Sequence, residues 1–97
     1  MSDYVLTPAA KLDLIEIETY ITSRDSARAA LKVIDDIDAA FAKIAQMPGI
    51  GHVRPNLTNK PVKFWRVHSY LIVYRPDVQP VQIHRVISGH RDIGRLL

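Results

Sequence analysis

Apolar residues recur along this chain with two different periods, and the change from one to the other divides it in two. From Pro8 to about Thr22, Ala10, Leu14, Ile17 and Ile21 return every three or four residues, the spacing that lines one face of an α-helix. Thr7 ahead of Pro8 reads as an N-cap followed by proline at the first helical position. Leu12 and Ile15 fall off that stripe, so this helix is expected to bury more than one side. Asp13, Glu16 and Glu18 lie away from the centre of the stripe, and Tyr20 lies on its border. A second stripe, Ala27, Ala30, Ile34, Ile37, Phe41 and Ile44, runs from a cap at Asp25 or Ser26 to about Gln46, where Pro48 and Gly49 end it. Asp35, Asp36 and Asp38 fall mostly to its solvent side. The connection Ser23 to Ser26 is short, which makes the two helices antiparallel neighbours.

Beyond Val62 the pattern becomes nearly alternating. Val62 to Val67, Tyr70 to Arg75 and Val81 to Ile87 mix β-branched and aromatic residues with polar ones, as strands covered on one face do. The break between Val67 and Tyr70 fits a tight hairpin. Pro76 to Pro80 makes a second turn, because each proline removes a ladder donor and fixes φ. Three strands alone are marginal in water, and the helical hairpin supplies the cover. Asp3 to Leu6 is a further short strand whose place in the sheet the pattern leaves open. Ser88-Gly89 breaks the last strand, Asp92 can cap a final turn from Ile93 to Leu97, and the two terminal leucines are expected to lie against the fold. The order β-α-α-β-β-β is an α+β fold, a helical hairpin packed on one face of a mainly antiparallel sheet, in one domain spanning residues 1–97. The proline- and glycine-rich stretch Met47 to Pro61 links the halves as a surface loop, with His52, Arg54 and Lys60 as its chemistry-bearing side chains.

Composition narrows the setting. The chain has no Cys, which excludes disulfides and thiolate metal sites and points to a reducing compartment. It shows no apolar run of membrane-spanning length and no signal-peptide pattern at its start, so a cytoplasmic protein with no membrane partner is expected. The net charge of +3 is unevenly spread. Met1 to Gln46 carries five basic and eight acidic residues, Met47 to Leu97 eight basic and two acidic. The sheet half is thus the side suited to an anionic partner, nucleic acid or an acidic protein segment.

The order of elements is joined by a series of short runs: Leu6-Thr7-Pro8-Ala9-Ala10, then Asp13-Leu14 with Ile17, Met47-Pro48 followed by Gly51, Phe64-Trp65-Arg66-Val67, Tyr70 to Arg75, and Arg85-Val86-Ile87 through Arg91-Asp92. Together, over essentially the whole chain, these resemble the RelE/ParE toxin superfamily, and more closely its ParE, plasmid-stabilisation branch. The resemblance implies the toxin of a bacterial type II toxin–antitoxin pair. Its partner would be a small cognate antitoxin, ParD-like and of the ribbon-helix-helix type, with a higher-order complex as one form of the pair. For the ParE branch it implies DNA gyrase as the target, bound so that replication stalls; for the RelE branch it implies metal-independent cleavage of mRNA on the ribosome; an inactive family member kept only for antitoxin binding is the further alternative. One departure stands out. ParE-like chains commonly place His where this chain has Ser88, followed by Gly and a small residue where it has His90.

Cleaving RNA without a metal needs a base for the 2′-OH, an acid for the leaving oxygen and cations around the phosphorane. Arg66, His84 and Arg91 form the set that could supply these, with Arg85 and His90 as further candidates. Strand alternation puts His84 and Arg85 on opposite sides of the sheet. The RelE pattern also leans on an aromatic residue near the C-terminus, and Ile93 to Leu97 has none. The favoured reading is therefore binding, with Arg66, Arg75, Arg85, His90, Arg91 and Arg95 facing the target. Phe64, Trp65 and Tyr74 would anchor the antitoxin, since aromatic side chains beside cations dominate such contacts. Against this, aromatics in a half-buried sheet are commonly core. The histidines at 52, 68, 84 and 90 have no metal-ligand spacing and no acidic neighbours, and neither a metal nor a cofactor is expected.

Overall fold

A computed structural model describes residues 3–89, 91 and 93–97. The chain runs β1 (Tyr4–Leu6), α1 (Pro8–Arg24), α2 (Ala27–Gln46), a 3-10 turn (Pro48–Ile50), β2 (Lys63–Val67), β3 (Tyr70–Arg75), β4 (Val81–Ser88) and α3 (Ile93–Leu96). Thr7 and Ser26 cap the two long helices, their hydroxyls accepting from the amides of Ala10 and Ala29 at 3.0 Å each. The sheet order is β1-β4-β3-β2. Antiparallel pairing joins β2 to β3 and β3 to β4. The first strand, left unplaced by the sequence, lies at the edge and parallel to β4, Tyr4 opposite Val81 and Leu6 opposite Ile83.

β1 stops after three residues, and the start of α1 takes over its role along the edge of β4. The Thr7 amide donates to the Ile83 carbonyl at 3.1 Å and the Thr7 hydroxyl to the His84 carbonyl at 2.7 Å. Nearly two turns later, Asp13 accepts the Val86 amide at 2.9 Å. Strand edges left without partners are costly and adhesive, and these bonds close this one. The β3–β4 register shifts between Val73 and Tyr74, whose partners are Arg85 and Ile83. His84 is the extra residue of a bulge, so the simple alternation expected for His84 and Arg85 is interrupted there.

The helical hairpin covers one face of the sheet. Ile17, Ile37, Phe41 and Ile44 pack with Ile72, Tyr74, Val81, Ile83 and Val86. The opposite face is not bare, as strands covered on one side would leave it. Val62, Phe64, Leu71, Val73 and Ile87 form a second core there, closed by Ile93 with Leu57, Leu96 and Leu97. β3 accordingly buries four consecutive residues, Leu71 to Tyr74. α1 corrects the sequence reading in two places. Leu12 and Ile15 are 54% and 62% exposed rather than buried, and Asp13, placed away from the centre of the stripe, is 5% exposed. Among the described residues no helix is long and apolar enough to cross a membrane.

Candidate functional site

The β2–β3 turn and the end of β4 meet at one end of the sheet. His68 takes φ 54°, a left-handed conformation open to few non-glycine residues, and its Nε2 lies 2.7 Å from the Asp36 carboxylate on α2. Bonds from Lys32 and then His68 hold that carboxyl below the usual carboxylate range. The Gly89 amide donates to the Ser69 carbonyl at 2.7 Å and the Arg91 amide to the Ser88 carbonyl at 3.1 Å, folding the chain across the sheet end. Arg66 is exposed on β2, with its guanidinium 3.7 Å from where a side chain on Gly89 would begin. A cleft of about 640 Å³ opens between α1 and the sheet. Glu16 and Tyr20 form one wall, Ser69, Tyr70 and Ser88 the other, and exposed Arg91 stands at the rim. Burial, and then the neighbouring Tyr20, push the Tyr70 phenol up.

The basic side chains of the sheet half divide into those engaged within the molecule and those left free. Arg85 is engaged: its Nε and Nη2 donate to Asp13 at 2.7 and 2.9 Å, its Nη1 to the Leu96 carbonyl at 3.3 Å. The bond to Asp13 raises its already high pKa. Arg75 donates to Asp77 at 2.8 Å, and Lys60 to the Leu97 carbonyl. Among the described residues Arg66, Arg91 and Arg95 are exposed and form no ion pair. His90, singled out with them, lies outside the described residues, as does Asp92, the expected cap of α3.

Arg66 and Arg91 thus come to the same end of the sheet, and His84 does not join them. It sits five residues before Gly89 along β4, a separation of about 16 Å in extended chain. Burial, and then the nearby Lys60, Arg85 and Arg75 charges, hold its pKa below 6.5. Among the described residues no group of three His, Cys, Asp or Glu side chains is placed to hold a metal.

The aromatic anchors fare differently from expectation. Phe64 is 2% exposed and Tyr74 is fully buried, so neither can touch a partner unless the core opens. The Tyr74 hydroxyl donates to the Pro48 carbonyl at 2.7 Å and accepts the Gly51 amide at 2.9 Å, pinning the 3-10 turn to β3. Trp65 keeps partial exposure but is held between Lys43, 5.3 Å from its ring centre, and the near-parallel His52 ring at 6.3 Å. Sequence reasoning missed Asp13 and the α1 wall of the cleft. The available signal was spacing: Asp13 is three residues after Ala10 and four before Ile17, both buried, and Glu16 and Tyr20 follow on the same flank.

A small sheet with a helical hairpin on one face and free arginines at one end defines a compact α+β protein whose site is a charged surface beside a cleft. The same fold occurs in a chain of the chromosomal ParDE TA system from P. aeruginosa, with a TM-score of 0.76, 22% identity, and coverage of 91% of this chain and 96% of that one. The family model described as the ParE toxin of the type II toxin–antitoxin system, parDE, matches residues 4–93, and the chain belongs to that family. No curated protein matches it.

Proposed function

We propose that this chain is the toxin of a type II toxin–antitoxin pair and arrests growth by binding DNA gyrase rather than by cutting RNA. Family membership supports the toxin role, and the likeness to the ParE branch supports gyrase as the proposed target. The observation that carries the binding reading is the division of the cations. Arg66, Arg91 and Arg95 are exposed and unpaired among the described residues, while Arg75 and Arg85 are held by Asp77 and Asp13. Exposed cations steer and orient a macromolecular partner without any proton transfer. Cleavage would need His84 to converge with Arg66 and Arg91, and the position of His84 five residues before Gly89 supports binding over it. A small antitoxin of the ribbon-helix-helix type is the expected second partner, with Trp65 the one aromatic candidate still accessible to it.

The reading is tested with purified protein in a gyrase supercoiling assay. Inhibition with trapped, cleaved DNA is expected, and it should be lost in the double variant Arg66→Glu, Arg91→Glu. Full supercoiling at stoichiometric excess of protein, together with cut mRNA in cells that express the chain, would replace this reading with the ribonuclease one.

A further inference from the structure

α1 is apolar on two sides. Its inner side carries Ala10 and Ile17 into the core, while on the outer side Leu12 and Ile15 are 54% and 62% exposed. Single exposed leucines are unremarkable, and two adjacent ones gain meaning only from their setting. The outward residues Pro8, Leu12, Ile15, Thr19 and Thr22 are separated by four, three, four and three positions, the alternation of a two-helix coiled-coil seam. Leu12 and Ile15 are its centre. Lys11 and Glu18, seven residues apart and both exposed, run along one flank, and neither forms an ion pair among the described residues. Glu16 and Ala9 lie on the other flank.

We infer that this face pairs with the same face of a second copy of the chain, α1 against α1 in antiparallel register. In that arrangement like flanks meet. With Leu12 of each copy against Ile15 of the other, Lys11 lies beside the second copy's Glu18, and the dyad repeats the pair. The opposite flank sets Glu16 against Ala9, so no like charges meet. Antiparallel helices also bring opposed dipole ends together, where a parallel pair would align them. The outward face serves neither the core nor the free arginines, so this pairing is independent of the gyrase reading. Two heptads of one helix bury less than the roughly 800 Å² per partner of a standard stable interface. The dimer is therefore weak, forming only at high protein concentration.

Sedimentation velocity of the full chain over a concentration series tests this. The wild type is expected to shift from monomer to dimer. Ile15→Lys should remain monomeric with an unchanged urea midpoint, since the position is exposed. Glu18→Lys should weaken association at least about fivefold, because two cross-dimer ion pairs are lost and like charges face each other in their place. Adding Lys11→Glu to Glu18→Lys should restore it. A wild type that stays monomeric throughout, or a dimer indifferent to Ile15→Lys, overturns the inference and leaves the face to another partner. A dimer weakened by Glu16→Lys but not by Glu18→Lys overturns the antiparallel register, because a parallel pair would set Lys11 against Glu16.

Discussion

Asp13 joins the first helix to the sheet. Its carboxylate takes two bonds from the Arg85 guanidinium and one from the Val86 amide, so it ties α1 to the open edge of β4. With side chains only 6% and 20% exposed, the pair is shielded enough that losing one partner strands the other. Asp13→Ala should lower stability by about 3 kcal/mol, and Asp13→Asn by less, because the amide oxygen can still accept. Urea denaturation measures both, and a loss below about 1 kcal/mol for the alanine variant would mean the clamp is not there. His84 gives the fold a pH dependence of definite sign. Its folded pKa lies below 6.5, chiefly through burial, so the unfolded chain binds the proton more readily. The associated stability is fully present above pH 6.5 and is lost as pH falls from there through the folded value. Denaturation at pH 7.5, 6.5 and 5.5 should show the decline, and His84→Gln should flatten it across that window; an identical slope in both proteins would remove His84 as its source.

At the scale of elements, α1 both covers the sheet and completes it. Thr7 shows how. As a helix start it is legible beside Pro8 in the sequence, yet its hydroxyl also donates to the His84 carbonyl, 77 residues away. Thr7→Ala removes both bonds and should cost about 1–2 kcal/mol, while Thr7→Ser should retain most of that stability. Thermal or urea unfolding of the two variants side by side distinguishes a double role from a cap alone. The C-terminal turn is the matching case on the other face. Ile93, Leu96 and Leu97 are plainly apolar in the sequence, but that they close a second core over Phe64, Leu71 and Val73 follows only from where the chain returns. Phe64 and Tyr74 left the accessible surface for the same reason: a strand's alternation tells which residues share a face, not whether something lies over it.

Across the whole molecule, charge is sorted by tertiary pairing as much as by sequence position. The basic half was visible in the composition, but of the five arginines named for the target from that half three stay unpaired among the described residues once Arg75 finds Asp77 and Arg85 finds Asp13. If the free set is the working set, Arg66→Glu with Arg91→Glu should abolish growth arrest on induced expression. Arg75→Glu should leave arrest intact, all variants folding normally. Arrest that survives the double reversal, or disappears with Arg75→Glu, would assign the contact elsewhere.

Local pattern was enough for the two helices with their caps, the three-stranded meander, the α+β class and the family, because periodicity, capping and turn chemistry act over a few residues. Long-range packing instead sets the parallel placement of β1, the bulge at His84, the burial of Asp13 and the exposure of Leu12 and Ile15. Each of these depends on which distant group supplies a hydrogen-bond partner or covers a face, and local spacing carries no record of that.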